Sequence, residues 1–299
     1  MAQIAFNIMS SQKSTKPKKF TVKTWALRKR QNTPITMMTA YDYPSAKYVD
    51  EAGIDAILVG DSVNMVVMGK DSTVSLTMDE MIHHCKAVAS GVNRSFMVGD
   101  MPFMTYQADP IEAVKNAGRL LKEGGMDAIK VEGGAHLAPT IQKIVSAGIP
   151  VMGHIGLTPQ SISQLGGYRI QGKKADDAIK LLHDALALQQ AGCFSIVLES
   201  VPTIVGNEIS RRLNIPTIGI GAGSGCDGQV LVYHDVLGLY DDFTPRFVKQ
   251  YAKLKPLIIE ALTSYKDEVI GRSFPAAEHT YEMKPDELEI FMAKLENEV

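Results

Sequence analysis

The sequence predicts a closed (β/α)8 barrel, a TIM barrel of the α/β class. Eight short apolar runs recur between Ile35 and Tyr233, and amphipathic segments of helix length separate most of them. Several of those segments end in glycine just before the next apolar run. Strand and helix in strict alternation imply parallel strands joined by right-handed crossovers. Eight such strands favour closure over an open sheet. The chain has 299 residues; that length suits two ordinary domains, but α/β barrels run past about 250 residues as one.

Taken in order, residues 1–19 read as a loose arm carrying the basic stretch Lys13 to Lys19. Thr21–Gln31 reads as a helix with Thr21 as its cap, placed to plug the N-terminal mouth of the barrel. The strand candidates are Ile35–Ala40, Ala56–Gly60, Phe96–Asp100, Ala128–Glu132, Pro150–His154, Ile196–Glu199, Thr217–Ile220 and Val230–Tyr233. Clear helices between them are Met78–Ser90, Pro110–Lys122, Leu137–Ser146, Asp176–Gln190 and Thr203–Leu213. The glycines in Glu51-Ala-Gly53, Glu123-Gly-Gly125, Ala147-Gly148 and Ala191-Gly192 fit the left-handed cap that ends a helix. Between the last two strands lies only the glycine-rich segment Gly219–Gly225. Pro245–Lys266 then reads as one long helix, and residues 281–299 as a charged helical extension opened by Pro285-Asp-Glu. Three units result: the arm at 1–19, one barrel domain at 20–280, and the extension at 281–299.

Composition narrows the function. Lys plus Arg total 31 against 33 Asp plus Glu, a net charge of −2, so nucleic acid and acidic membranes are not expected partners. The basic Arg28-Lys29-Arg30 reads as a solvated helix face. The three cysteines, Cys85, Cys193 and Cys226, have no metal-knuckle or redox spacing, which fits a reducing cytoplasm. The N-terminal MAQIAFNIMSSQ lacks a basic segment before its apolar stretch and is a poor signal peptide. No stretch approaches the length of a membrane span.

The strand ends carry the chemistry. Asp61-Ser62, Asp100, Lys130 with Glu132, His154 and Glu199 each fall at the end of an apolar run. A buried charge costs several kcal/mol unless it is paired or metal-bound, and barrel active sites sit at the C-terminal strand ends. These residues are therefore expected around one opening. Alternation groups Lys130 with Glu132, Asp100 with Val98, His154 with Met152, Glu199 with Val197, and Asp61 with Ile57 and Val59. Asp61, Asp100 and Glu132 on adjacent strands would repel one another unless a cation lay between them, and an all-oxygen set suits Mg2+. Each acid could instead cap a helix or pair with an arginine. Glu199, between Val197, Leu198 and Val201, has apolar neighbours that raise a carboxyl pKa and suit a general base. Lys130, two residues from a glutamate, should stay protonated and serve as a fixed positive charge. His154 is either a donor to a substrate carboxylate or structural. The long segment from Gly156 to Gly172 is a candidate substrate loop. Gly219–Gly225 either holds a phosphate or shapes the backbone.

The motifs Val59-Gly-Asp-Ser62, Asp71-Ser-Thr73, Gly99-Asp-Met-Pro-Phe103, Lys130-Val-Glu-Gly-Gly134, Gly153-His-Ile-Gly-Leu-Thr-Pro-Gln160, Gly166-Gly-Tyr168, Leu198-Glu199, Ile218-Gly-Ile-Gly-Ala-Gly223 and Asp227-Gly-Gln229 stand in an order that resembles the ketopantoate hydroxymethyltransferase family. The resemblance covers about residues 22–280. It implies a barrel of the phosphoenolpyruvate/pyruvate type. It also implies transfer of a hydroxymethyl group from 5,10-methylenetetrahydrofolate to 3-methyl-2-oxobutanoate through a Mg2+-stabilised enolate, giving 2-dehydropantoate for pantothenate and coenzyme A synthesis. By that resemblance Asp61, Asp100 and Glu132 hold the metal. Asp61, Ser62, Asp100, Lys130 and His154 contact the 2-oxo acid, and Glu199 accepts the proton. The glycine-rich segment then needs no phosphate. A large homo-oligomer, a decamer, is also implied. Asn64 and Ser200 depart from residues usual in the family without removing a functional group. Alternatives from the residues are another metal-dependent 2-oxo acid lyase or mutase, a Schiff-base aldolase using Lys130, or a non-catalytic barrel.

Overall fold

The computed structural model describes residues 19–240 and 244–298. The chain opens with α1 (Val22–Arg30), β1 (Ile35–Thr39), α2 (Tyr43–Glu51), β2 (Ala56–Val59), α3 (Val63–Val66), α4 (Met78–Gly91) and β3 (Phe96–Asp100). There follow α5 (Pro110–Lys122), β4 (Ala128–Glu132), α6 (Ala138–Ser146), β5 (Val151–Gly156), α7 (Ile162–Leu165), α8 (Ala175–Gln190) and β6 (Ser195–Glu199). The last elements are α9 (Thr203–Arg212), β7 (Thr217–Ile220), β8 (Gly228–Leu231), α10 (Tyr233–Leu237), α11 (Leu254–Ile270) and α12 (Pro285–Asn297). The eight strands close into one parallel barrel in sequence order, β8 pairing with β1. The arm expected at residues 1–19 lies outside the described residues apart from Lys19. Among the described residues no helix is long and apolar enough to cross a membrane.

Strand pleating sorts the core into two clusters. Ile57, Val59, Ile129, Val131, Val151, Ile196 and Leu198 point outward and pack under the helices against Met81, Leu120, Ile141 and Leu188. Ala56, Leu58, Phe96, Val98, Ala128, Met152, Val197 and Ile218 point inward. The inner cluster is closed at one end by α1, as the sequence predicts. Trp25 is fully buried and meets Phe20, Phe96 and Phe194 edge to face, at centroid distances of 5.9, 5.9 and 5.3 Å. The basic face of α1 is less free than expected: Arg28 pairs with Asp55 at 3.2 Å and Lys29 with Asp227 at 2.8 Å. Asp227 also accepts from the backbone N–H and hydroxyl of Thr217. The Asp227-Gly-Gln229 motif thus begins at the plugged end of the barrel.

Two expected elements are corrected. The last strand runs Gly228–Leu231 rather than Val230–Tyr233; as expected, it follows β7 with no intervening helix. Of the helix expected at Pro245–Lys266, only the part from Leu254 onward is helical. The preceding segment is pinned against the barrel instead. Tyr251 N–H donates to Val236 O at 2.8 Å, and Phe247 lies over Gly221, where a Cβ would approach its ring to 2.6 Å. The positive φ of +66° at Gly221 is one that an L side chain rarely adopts. Neither α11 nor α12 buries a residue.

Candidate active site

The strand register gathers the polar ends. Asp100 on β3 faces Lys130 on β4, Glu132 on β4 faces His154 on β5, and Gly156 on β5 faces Glu199 on β6. Asp100, Lys130, Glu132, His154 and Glu199, with Asp61 and Ser62, line one cavity of about 660 Å3 at the C-terminal mouth. Asp61 arrives by a route that alternation does not give. Ile57 and Val59 belong to the outward cluster, so an extended β2 would point Asp61 at the helices. The strand stops at Val59, and the turn that follows swings Asp61 inward, where its N–H donates to Asp100 Oδ2 at 3.0 Å. Ser62 Oγ lies 2.8 Å from the Tyr41 hydroxyl.

The centre is a buried charge network. Lys130 Nζ lies 3.1 Å from Asp100 Oδ1 and 3.7 Å from Glu132 Oε1. Burial disfavours its charge, but Asp100, Glu132 and Asp61 outweigh burial and hold the ammonium above the ordinary lysine range. His154 bridges two acids, with Nδ1 3.2 Å from Glu132 Oε1 and Nε2 3.2 Å from Glu199 Oε2. Burial and Lys130 push its pKa down; Glu132 and Glu199 reverse that and raise it to about 9. The imidazole is then cationic at neutral pH, with Nδ1 3.2 Å from both Glu132 Oε1 and Lys130 Nζ, while Nε2 faces Glu199 without a hydrogen bond of good geometry. Glu199 is therefore not the solitary base expected from its apolar neighbours; it has a cationic partner.

The acids divide by environment. Burial raises the pKa of Glu132, but His154, Lys130 and the Gln160 N–H pull it below the usual value. Burial, with repulsion from Glu132 and Asp100, holds Asp61 well above the carboxylate range. Burial raises Asp100 too, and Lys130 and the Asp61 N–H offset only part of that rise. Asp100 Oδ1 accepts no hydrogen bond of good geometry, although Lys130 is near. Two neighbouring carboxylates under excess negative potential, with an oxygen free to ligate, fit a hard divalent cation. Among the described residues no three His, Cys, Asp or Glu side chains are gathered as a ready metal cage. Both Glu132 oxygens already accept protein donors, from His154 and from Gln160 N–H at 3.0 Å.

Sequence reasoning missed Gln160 and Tyr106. Gln160 is buried, and its Nε2 donates to Asp61 Oδ2 and to Met101 O, each at 2.9 Å. Its Oε1 accepts from the Tyr106 hydroxyl at 2.7 Å, and that hydroxyl accepts from the Glu132 N–H at 3.0 Å. Gln160 therefore aims two of the acids at once. The available signal was its place in the Thr158-Pro-Gln160 segment straight after β5. Asn64, a departure from the family pattern, donates to Ser72 O and Ser75 Oγ and ties down the loop beyond α3.

Comparison with known proteins agrees with the geometry. Residues 19–277 match the family described as ketopantoate hydroxymethyltransferase. A 3-methyl-2-oxobutanoate hydroxymethyltransferase of Carboxydothermus hydrogenoformans is 57% identical over 261 residues, 87% of this chain and 95% of its own. One from Nitratidesulfovibrio vulgaris (strain DP4) is 54% identical over 262 residues, 88% of this chain and 85% of its own. Solved structures with the same fold include a phosphonopyruvate hydrolase, with TM-score 0.56 and 14% identity over 92% of this chain and 96% of that one. Another is 2,3-dimethylmalate lyase, a PEP mutase/isocitrate lyase superfamily member, with TM-score 0.53 and 14% identity over 94% of this chain and 97% of that one. Identity above one half along nearly the whole barrel places this chain, an enzyme of the transferase class, in the ketopantoate hydroxymethyltransferase family.

Proposed function

We propose that the cavity mouth transfers a hydroxymethyl group from 5,10-methylenetetrahydrofolate to 3-methyl-2-oxobutanoate, giving 2-dehydropantoate. The observation that carries this reading is the arrangement of Glu199, paired to His154, across the same cavity from the Asp61–Asp100–Lys130 group. Asp61 and Asp100 would hold Mg2+, with Glu132 the third acid of the site, directed by His154 and Gln160. Bound there, Mg2+ would supply Lewis-acid polarisation of the substrate's 2-oxo group.

The chain's own residues do the rest. Ser62, Lys130 and His154 bind and orient the 2-oxo acid. Glu199 takes the C3 proton onto its carboxylate, and the His154 imidazolium, 3.2 Å away, sets the place from which it does so. Lys130 meets the negative charge that develops on the enolate oxygen. C3 then bonds to the one-carbon unit delivered by the folate; both carbon–nitrogen bonds that tie this unit to the folate break, water supplies the hydroxyl oxygen, and the two folate nitrogens take up the proton removed from C3 and one from that water. Lys130 does not act through a Schiff base on this reading, because its neighbours keep it protonated.

The test is product formation from the oxo acid, the folate and Mg2+, with loss on chelation and no Lys130 adduct on borohydride treatment. Activity unaffected by chelator, or an adduct at Lys130, would count against it. We further infer a large homo-oligomer, a decamer, in the cytoplasm. The exposed Leu257, Leu262, Tyr265 and Phe291 on α11 and α12 support assembly, and the free, buried thiols suit a reducing compartment. Sedimentation of a monomer at micromolar concentration would contradict the assembly.

A further inference from the structure

We propose that the wall of the cavity beyond β8 is the seat of the folate, with Asp235 accepting the N–H donors of the pterin's 2-amino-4-oxopyrimidine edge. The proposal rests on the reading of the oxo-acid site above. The cavity of about 660 Å3 is of the size that holds a drug-sized ligand, whereas the oxo acid has only eight non-hydrogen atoms. The groups assigned to the oxo acid and its metal come from β2 to β6. The remaining wall is built by β7, β8, β1 and the segment after β8, and is mostly apolar, with Ile220, Val230 and Val232.

Asp235 interrupts that apolar wall. It lies in the first turn of α10, lines the cavity and is only 9% exposed. Among the described residues its carboxylate has neither a hydrogen-bond donor nor a cation, and burial alone raises its pKa to about 6. Its side chain opens only onto the cavity, so a ligand that fills the cavity and displaces its water must supply donors to both oxygens. A flat ligand edge with two adjacent N–H donors satisfies both oxygens at once. That is the chemistry of the aminopyrimidinone ring of a folate.

The surroundings suit the rest of such a molecule. Phe247, held over Gly221, and Tyr168, whose hydroxyl reaches Met65 Sδ at 3.7 Å, offer aromatic surfaces on the same cavity. Tyr168 also stands in the field of Glu199 and Asp61, so a ring against it lies beside the reacting centre. Arg246 is exposed and lines the rim, a fit for the glutamate carboxylates of the folate tail.

The experiment titrates the Mg2+-loaded full-length protein with tetrahydrofolate and with tetrahydropterin, which lacks the tail, and measures C3 deuterium exchange of 3-methyl-2-oxobutanoate without folate. Asp235→Asn should weaken both titrants at least tenfold and raise the KM for methylenetetrahydrofolate as much, while the folate-free exchange persists. Arg246→Gln should weaken tetrahydrofolate about fivefold and leave tetrahydropterin unchanged. Unchanged pterin binding in Asp235→Asn overturns the proposal, and so does loss of exchange together with binding in a folded variant. If Asp235→Asn fails to fold, Phe247→Leu takes its place; weakening of both titrants supports the seat, and equal binding overturns it. Absence of exchange in the unaltered protein would instead count against the oxo-acid reading, and the titrations would still decide the folate seat.

Discussion

Lys130→Met removes the cation at the centre of the buried network while keeping the side chain's bulk. The lysine is 4% exposed and faces Asp100 at 3.1 Å and Glu132 at 3.7 Å. Breaking a buried pair from one side costs about 3–5 kcal/mol, because the other charge stays buried. Unfolding entropy near 2.1 cal/mol/K per residue over 299 residues is about 0.6 kcal/mol/K, so Tm should fall by about 5–8 °C near neutral pH without metal. The pH dependence follows from the acids. Asp61 and Asp100 have raised pKa values, so the folded state holds their protons more tightly than the unfolded chain. Their raised values stabilise the folded state as pH falls, and lack of Lys130 raises them further. The gap between variant and parent should therefore narrow as pH falls from neutrality, and narrow again when Mg2+ is added near neutrality. Melting curves on both proteins across that range, with and without Mg2+, are the assay. A gap of the same size at every pH and metal concentration would refute the reasoning.

The pKa of about 9 at His154, against an ordinary 6.5, contributes stability fully present below about pH 6.5 and lost as pH rises through about 9. At 1.36 kcal/mol per unit the loss is about 3 kcal/mol, and His154→Gln should remove that alkaline limb from denaturant-unfolding curves. Gln160→Leu removes the amide that holds Asp61 and one of the acceptors of the Tyr106 hydroxyl, which keeps its contacts with the Glu132 backbone, so the Mg2+ concentration for half-maximal exchange should rise about 10–100-fold; an unchanged requirement would detach Gln160 from the metal site. Trp25→Ala opens the plug and should cost about 3–5 kcal/mol in urea unfolding while the exchange rate of the folded protein stays put, since Trp25 closes the other end of the barrel.

How much of this was legible in the sequence depends on how local the cause is. The strand ends at Asp100, Lys130, Glu132 and Glu199 were readable because alternation within one strand fixes which face a side chain takes. Asp61 was expected at the right place for a wrong reason: alternation with Ile57 and Val59 would point it outward, and a turn after Val59 delivers it instead. Glu199's partner was not legible: His154 and Glu199 sit on different strands, and only register brings Gly156 level with Glu199. Gln160 and Asp235 were passed over because a lone amide or acid in a loop has no period to mark it. The segment before α11 looked helical by composition, yet its contacts with Val236 and Gly221 outweigh that preference, as tertiary context often does.

Deuterium exchange at C3 of 3-methyl-2-oxobutanoate, with Mg2+ and without folate, tests the assignment of Glu199 as the proton acceptor most directly. The unaltered protein should exchange that position, and Glu199→Gln should slow the exchange by about 100- to 10,000-fold while the protein stays folded and still binds the oxo acid. Exchange at the unaltered rate in Glu199→Gln would remove the proton acceptor from Glu199 and contradict the mechanism built on it.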